Sequence, residues 1–173
     1  MYIETQRLIL RDPRKTDVEP ILAIRNSDFV MRFNAMTLWT QEQVWNSFSV
    51  DSEETVIIVE RKEDGAVLGA LFFAEDSIRY RVQAMNLAYY LGEQYARQGY
   101  MKEALRRLIS WLFVEEKGLE LVSARVFRGN AASKRLLRSL GFRHEGTIRR
   151  CVRNHDGEVF DDLLFSLLRE EWQ

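Results

Sequence analysis

Gly99 lies where a predicted strand passes through a short loop into a long amphipathic helix, and Arg97 and Lys102 flank it. The first N–H groups of a helix have no partners inside the helix, and the helix dipole places partial positive charge there. A glycine lets an anion approach this backbone without a Cβ in the way, and the two cations add charge beside it. The pattern predicts a pyrophosphate site over residues 97–102, although a glycine in this position alone is equally typical of a simple turn.

The hydrophobic pattern predicts the elements that must position this loop. Apolar residues recur at helical spacing over residues 100–116, and Gly118 is placed to end that helix. Capping boxes are predicted at Thr16 to Glu19 and at Thr40 to Gln43, and Asn130 is placed to cap a later helix. Strands are predicted over residues 7–11, 55–61, 67–73, 82–91, 121–127, 143–153 and 159–168. Helices are predicted over residues 16–25, 40–48, 100–116 and 131–140.

The order of these elements limits the fold to a mixed sheet. The Asp64-Gly65 hairpin pattern requires antiparallel pairing, whereas the strand–helix–strand segment over residues 82–127 requires a crossover to a parallel neighbour. We therefore expect an α/β fold with a mixed, mostly antiparallel sheet of about six to seven strands and about four helices. The length of 173 residues fits one domain over residues 1–173.

Composition excludes several classes of function. Apolar residues make up 46% and charged residues 29% of the chain, and the formal net charge is −1, which gives no electrostatic drive toward nucleic acid or an anionic membrane. No stretch approaches the ~20 apolar residues of a membrane span, and the first residues lack a signal-peptide core, so we expect a cytoplasmic protein. Cys151 is the single cysteine, and with His144 and His155 it is too few ligands for a zinc site.

Four segments, taken together, resemble the GNAT superfamily of acetyltransferases and in particular its RimJ/RimL-like branch, which acetylates N-terminal amines of ribosomal proteins. Glu93 to Ala104 is similar to the family's acetyl-CoA pyrophosphate loop, and Asn130 to Phe142 is similar to its second cofactor segment. Glu4 to Arg11 and Asp162 to Leu168 resemble the two ends of the branch. The matches occur in the family's order and span nearly the whole chain.

The resemblance implies that acetyl-CoA is the co-substrate and that no metal takes part. It also implies where acetyl-CoA would bind. A V-shaped splay between the strands at residues 82–91 and 121–127 would admit it, with main-chain groups of the first strand pairing with the pantetheine arm. Asn130 would bind that arm, and Arg135, Lys134 or Arg138 would meet the 3′-phosphate unless they form a solvated helix face. The implied cofactor-binding residues are Tyr89, Tyr90, Leu91, Arg97, Gln98, Gly99, Tyr100, Met101, Lys102, Asn130, Ser133 and Arg135.

The catalytic residues depart from the usual family pattern. Many relatives carry a tyrosine at the position of Leu137, which cannot donate a proton, so Ser133 becomes the candidate general acid near the thiol. Asn86 lies where several relatives have a glutamate, and it can orient a water but cannot take a proton itself. A backbone N–H near Tyr90 and Leu91 would stabilise the oxyanion. The general base stays open among Glu145, Asp161, Asp162, His144 and His155.

The acceptor is the least defined part of the sequence-based prediction. The resemblance implies a primary amine, most closely the N-terminus of a ribosomal protein. Of Phe29, Phe33, Trp39 and Trp45, most are expected to pack in the core and one or two to line the acceptor pocket. Polyamines and aminoglycosides remain alternatives, as does a non-catalytic acyl-CoA-binding module. A dinucleotide-binding regulator is disfavoured because Gly-x-Gly-x-x-Gly is missing. The resemblance implies a monomer or homodimer, because relatives are often monomers or dimers, and no direct contact with nucleic acid or membrane is expected.

Overall fold

The computed structural model describes residues 1–35, 37–49, 52–154 and 156–172. The strands in this part of the chain are β1 (Tyr2–Glu4), β2 (Leu8–Arg11), β3 (Thr55–Arg61), β4 (Val67–Glu75), β5 (Ala84–Leu91), β6 (Leu121–Phe127), β7 (Arg143–Arg153) and β8 (Val159–Leu168). The α-helices are α1 (Val18–Arg25), α2 (Asp28–Met31), α3 (Gln41–Ser47), α4 (Tyr100–Glu115) and α5 (Ala131–Ser139). Short 3-10 helices occupy Lys15–Asp17, Glu93–Tyr95 and Arg169–Glu171.

The eight strands form one sheet in the order β1-β2-β3-β4-β5-β6-β8-β7. Every neighbouring pair is antiparallel except β5 and β6, which α4 connects as a parallel crossover. The predicted mixed, mostly antiparallel α/β sheet is therefore confirmed. The described residues contain one strand and one helix more than expected, because β1 and α2 span only 3 and 4 residues and are too short to show a periodic pattern.

Helices cover both faces of the sheet, and each face has its own apolar core. Side chains of α4 and α5, including Leu105, Leu108 and Leu137, pack with Leu87, Val126 and Leu163 of the sheet. On the opposite face, α1, α2 and α3 contribute Ile21, Val30 and Val44, which pack with Ile58, Ala70 and Tyr90. Because successive strand side chains point to opposite faces, Asn86 and Ala88 face the α1–α3 side with Tyr90, whereas Tyr89 faces the α4–α5 side.

The two predicted capping boxes have different outcomes. Thr40 and Gln43 exchange backbone-to-side-chain hydrogen bonds of 2.9 and 3.3 Å, as expected. The box at Thr16 is wrong, because Asp17 instead accepts the backbone N–H of Arg14 at 2.6 Å and α1 begins after a 3-10 turn. Arg11 is 4% exposed, and its guanidinium donates to both Asp17 oxygens at 2.7 and 2.8 Å, so the Asp17 carboxylate is held in a buried ion pair beside the start of α1.

The sheet opens between its two parallel strands. The ladder between β5 and β6 runs from Ala84 opposite Leu121 to Leu87 opposite Ala124. Beyond that point, β5 stays paired with β4 through Leu91, and β6 stays paired with β8 through Phe127. The carboxyl ends of β5 and β6 therefore diverge, which confirms the predicted V-shaped splay. Within the described ranges, no helix combines the length and apolar character needed to cross a bilayer.

Candidate functional site

A cavity of about 800 Å³ occupies the splay between β5 and β6. It reaches from α1 and α2 on one face of the sheet, past the free ends of both strands, to the first turns of α4 and α5 on the other face. Its volume is within the usual range for a site that binds a sizeable organic molecule. Of the predicted site residues, Asn86, Tyr89, Tyr90, Leu91, Arg97, Gly99, Tyr100, Met101, Lys102, Asn130, Ser133 and Arg135 all line it.

The loop over residues 97–102, which we call the anion cradle, lies at one end of this cavity. Gly99 is the N-cap of α4 with φ +82°, and Arg97 also has a positive φ of 61°. A left-handed residue next to a helical one is the backbone geometry of main-chain anion-binding nests, and Gly99 adjoins the free N–H groups of the first turn of α4. Among the described residues, a Cβ added to Gly99 would approach only Nη2 of Arg7, at 3.4 Å. The cradle is therefore open toward the cavity, as binding of an anion there requires.

A polar network holds the cradle from behind. Glu103 Oε1 accepts the Thr5 hydroxyl at 2.6 Å and the Arg7 backbone N–H at 2.8 Å, and its Oε2 accepts Arg7 Nε at 2.7 Å. Arg7 Nη1 also donates to the carbonyl of Gln98 at 3.0 Å. The side-chain amide of Gln98 donates to the Gln94 carbonyl, and Gln98, a predicted cofactor-binding residue, is not among the residues that line the cavity. No local sequence pattern indicates this network, because its partners are distant along the chain.

The charge of the cavity suits a polyanion. Among the described lining residues, six are cationic and two are acidic: Arg25, Arg32, Arg97, Lys102, Arg125 and Arg135, against Glu54 and Asp162. Of the three predicted phosphate contacts on α5, only Arg135 lines the cavity, and Lys134 Nζ instead donates to the Arg128 carbonyl at 2.9 Å. Three of these cations, Arg97, Lys102 and Arg135, lie around the anion cradle and α5, where no acidic lining residue offsets them, so a ligand with several phosphates would be attracted to that end.

Two hydroxyl groups meet on the α4–α5 side of the splay. Tyr89 Oη and Ser133 Oγ lie 2.5 Å apart, within hydrogen-bond distance. Burial raises the pKa of the Tyr89 phenol to about 12, against the opposing effect of the Ser133 hydrogen bond, so the phenol is neutral near pH 7 and can donate a proton. Asn130 Oδ1 accepts the Ser133 backbone N–H at 3.0 Å and thereby caps α5. Leu137 is fully buried in the core and takes no part in this arrangement.

On the α1–α3 side, the cavity is lined by aromatic residues and one buried cation. Phe29, Phe33 and Trp39 line it, and the Arg25 guanidinium lies 3.6 Å from the centroid of the Trp39 ring. Arg25 is 3% exposed and donates to the Thr37 carbonyl at 2.7 Å, and burial lowers its pKa despite the opposing effect of Tyr90. Trp45 is not among the lining residues, because α3 buries Val44 and leaves the neighbouring Trp45 47% exposed.

Asn86 lies deeper in this half, within a polar chain. Its Oδ1 is 3.4 Å from Ser123 Oγ, which donates to Asp76 Oδ2 at 2.7 Å. The amide of Asn86 lines the cavity and can orient a water molecule there, although an amide does not accept a proton as a carboxylate does.

The candidate general bases are separated by the structure. Glu145 pairs with Arg79 and Ser166, and Asp161 accepts Arg128 Nη1 at 3.1 Å and the Arg150 backbone N–H at 2.9 Å. Glu145 and Asp161 do not line the cavity, and His144 packs against Phe165 outside it. Of the candidate bases that the structure describes, Asp162 alone lines the cavity. His155 lies outside the described residues. The described ranges contain no group of three or more His, Cys, Asp or Glu side chains that could hold a metal ion.

Known proteins share both the sequence pattern and the fold. Residues 7–143 match the family described as Acetyltransferase (GNAT) domain. The chain is 28% identical over 174 residues to the uncharacterized N-acetyltransferase YoaA of Bacillus subtilis (strain 168), with 96% of each chain covered. Its fold is similar to that of the ribosomal-protein-S5-alanine acetyltransferase from Vibrio fischeri, with a TM-score of 0.82, 20% identity and coverage of 100% and 99% of the two chains.

A second solved structure has a different acceptor in its name. The spermidine N-acetyltransferase from Vibrio cholerae, in complex with CoA and spermine, matches with a TM-score of 0.82 and 18% identity over 96% of this chain and 98% of that one. At these identities the two structures establish the fold of the chain and do not distinguish between their acceptors.

Proposed function

The chain belongs to the acetyltransferase (GNAT) family, and from that premise we propose that it acetylates the free N-terminal amine of a protein or peptide. It is an N-acetyltransferase that uses acetyl-CoA. The observation that carries the proposal is the splay, because it joins the anion cradle on one side of the sheet to an aromatic pocket on the other. We also propose that residues 1–173 form one acetyltransferase domain that works in the cytoplasm.

The described residues fit acetyl-CoA as the co-substrate. Main-chain N–H groups of the anion cradle would hold the diphosphate, with Arg97 and Lys102 beside it, and Arg135 would meet the remaining phosphate. The free edge of β5 at Tyr89 to Leu91 would pair with the pantetheine arm like an added strand. Bound in this way, the molecule supplies an activated acetyl thioester to the gap in the sheet.

The residues around the gap would divide the chemistry between the two faces. In the balanced reaction, an ammonium and the acetyl thioester give an amide, a thiol and one proton. A C–N bond forms as the C–S bond breaks. Main-chain N–H groups of β5 near Tyr90 would stabilise the charge on the carbonyl oxygen, and Asn86 would orient a water that removes protons from the amine. Ser133, hydrogen-bonded to Tyr89, would deliver a proton to the leaving sulfur.

Ser133→Ala is expected to lower kcat roughly 10- to 100-fold with little change in acetyl-CoA affinity, because it removes a proton donor and no phosphate contact. Tyr89→Phe should have a similar effect, and the double variant should be little worse than either single variant, because the two hydroxyls act as one unit. Steady-state kinetics and calorimetric binding of CoA provide the two measurements. Ser139→Ala, an exposed serine on α5, is the matched control. An unchanged turnover number in Ser133→Ala would remove Ser133 from the mechanism.

Glu103→Gln should raise the KM for acetyl-CoA several-fold with a small effect on kcat, because it weakens the network that holds the cradle. Burial acts in the opposite direction, but hydrogen bonds from Thr5 and Arg7 lower the pKa of Glu103 from its ordinary 4.5. Because folding lowers the pKa of Glu103, the contribution of its ionised network is complete above the ordinary value of 4.5. It is lost as pH falls through the lower pKa of the folded state. The KM ratio of variant to wild type should be constant from about pH 5 to 8 and shrink below that range.

The exposed Glu115, at the other end of α4, gives the matched control for this prediction, since Glu115→Gln leaves the cradle network intact. If both variants changed the KM for acetyl-CoA equally, the effect would come from the charge of the helix and not from the network.

The charges on the α1–α3 side favour a peptide N-terminus over a polyamine. A polyamine carries several ammonium groups and requires several carboxylates, whereas this half of the cavity contains the guanidiniums of Arg25, Arg32 and Arg125 beside two acidic residues. Such a pocket would repel the distal ammonium groups of a polyamine. An acceptor with one ammonium followed by neutral or acidic groups fits it better, and Phe29, Phe33 and Trp39 provide apolar walls for the first side chain.

An acceptor panel tests this proposal. Thiol release from acetyl-CoA is followed with peptides that have free or blocked N-termini and an internal lysine, and with spermidine and an aminoglycoside in parallel. We expect kcat/KM to be at least roughly tenfold higher for a free N-terminus, and mass spectrometry should place the acetyl group on the α-amine. A higher value for spermidine or the aminoglycoside would contradict the peptide proposal and favour a small-amine acceptor. If none of these acceptors supported thiol release, all of them would be contradicted.

A further inference from the structure

Asp162 is a buried carboxylate with an unsatisfied oxygen in the wall of the cavity. The residue is 4% exposed, and its Oδ1 is a buried polar atom without a hydrogen-bond partner among the described residues. Its Oδ2 lies 3.9 Å from Arg125 Nε, which is too far for a hydrogen bond. Burial raises the pKa of Asp162 against the opposing effects of Arg125 and the Leu163 backbone N–H. The carboxylate therefore lacks much of the solvation that a charged group needs.

Stability does not account for such a group. An unpaired buried carboxylate costs free energy, whereas other buried aspartates of this chain have their oxygens satisfied. Asp17 receives both guanidinium donors of Arg11, and Asp76 receives the Ser123 hydroxyl and the Ile78 backbone N–H. The neighbouring Asp161 also has a cation and a backbone N–H. Asp162 Oδ1 can therefore accept a hydrogen bond from a bound ligand.

The position of Asp162 in the sheet determines which side of the cavity its carboxylate faces. It lies on β8 opposite Phe127, the last residue of β6, beside the opening of the splay. Leu163 belongs to the core on the α4–α5 side, so alternation along the strand directs Asp162 to the α1–α3 side. Asn86 and Tyr90 face the same side from β5, across the gap. Asp162 is therefore on the face of the sheet opposite the Tyr89–Ser133 pair.

We propose that Asp162 binds the ammonium group of the acceptor and holds it at the opening of the splay. The inference rests on the proposed function, since it assigns the binding group for that reaction. An ammonium supplies N–H donors to the unsatisfied Oδ1 and neutralises the buried charge, which a neutral donor would not do. One such carboxylate serves one ammonium, so the acceptor is a cation whose charged nitrogen is the one to be acetylated.

The first test compares Asp162→Asn with Asp161→Asn, a matched pair of neighbouring carboxamide substitutions. Asp162→Asn should raise the KM for a free N-terminal peptide roughly 10- to 100-fold, because a charge-assisted hydrogen bond is lost, with unchanged acetyl-CoA affinity. Its Tm without ligands should equal or exceed that of wild type, since a desolvated charge is removed. Asp161→Asn should leave the KM for the peptide within about twofold and lower the Tm, because its partners are structural.

An acceptor-independent measurement protects the test from a wrong choice of peptide or a variant that does not fold. In wild-type protein labelled with ¹³C-aspartate and saturated with CoA, the Asp162 carboxyl resonance is assigned through the Leu163 amide. Titration with n-butylammonium chloride, against matched potassium chloride, should shift this resonance saturably, and that of Asp161 should stay in place.

The outcomes separate this proposal from the proposed function. A peptide KM unchanged by Asp162→Asn, or a carboxyl resonance that n-butylammonium leaves in place, overturns the role of Asp162. If no peptide supports thiol release but n-butylammonium shifts the resonance, the ammonium site stands and the peptide acceptor is wrong. A lower Tm for Asp162→Asn with an unchanged KM would assign the residue a structural role and also reject the proposal.

Discussion

Replacing Gly99 with glutamate is expected to abolish acetyl-CoA binding while most of the fold is retained. Gly99 has φ +82°, a conformation in which a residue with a Cβ is strained by about 1–2 kcal/mol. The larger effect comes from charge, because the new carboxylate would lie among the main-chain donors that receive the diphosphate. We expect the Kd for CoA to rise by roughly 100-fold or more, which corresponds to about 3 kcal/mol. Isothermal titration calorimetry measures it.

The chain offers a matched control at the other end of the same helix. Gly118 has φ +97°, and no atom of the described residues would lie within 4 Å of a Cβ added there, so Gly118→Glu imposes the same backbone strain and charge far from the cradle. Its Tm should fall about as much as that of Gly99→Glu, while its CoA affinity stays near the wild-type value. If Gly99→Glu bound CoA as tightly as Gly118→Glu, the anion cradle would not be the diphosphate site.

The long elements of this fold could be predicted from the sequence because their hydrophobic periods are complete. The helix over residues 100–116 has apolar residues at every expected turn, and the structure gives Tyr100–Glu115. Strand β1 could not be found, because three residues carry no period and its pairing with β2 is defined only in the folded sheet. The capping box at Thr16 failed because a local pattern was overridden by the buried pair of Arg11 and Asp17.

The candidate site divides in a similar way. The anion cradle follows largely from local rules, since a glycine at the junction of a strand and a helix leaves the first main-chain N–H groups of the helix accessible. The splay could be predicted only from the family resemblance, because no residue pattern indicates where the hydrogen bonding between two strands ends. The Tyr89–Ser133 contact joins residues 44 positions apart, and the unsatisfied oxygen of Asp162 depends on the packing of β6 against β8. Such properties arise from tertiary packing and have no local sequence pattern.

Gly69 is the glycine where adding one methyl group should cause the largest loss of stability and also disturb the site. It pairs with Leu91 in the β4–β5 ladder, and a Cβ there would lie 2.2 Å from the Tyr90 carbonyl oxygen and 2.9 Å from the Leu91 Cα. Both are main-chain atoms, so no side-chain rotation relieves the clash and the two strands must separate. In Gly69→Ala, we expect the free energy of unfolding to fall by about 3 kcal/mol or more, which is at the upper end for a single substitution.

The strand that moves in Gly69→Ala is the one that forms an edge of the splay, so the structural and functional effects should be linked. Urea unfolding gives the loss of stability, and the KM for acetyl-CoA, measured where the variant is still folded, should rise because Tyr90 and Leu91 are displaced. Gly146→Ala is the control, since Gly146 also lies in a strand and has open space among the described residues around its Cβ position. Its loss should be less than about 1 kcal/mol. If Gly69→Ala and Gly146→Ala lost equal free energies of unfolding, the chain would relieve the clash at Tyr90 without moving β5. The edge of the splay would then be too adaptable to act as a rigid pairing surface for the pantetheine arm.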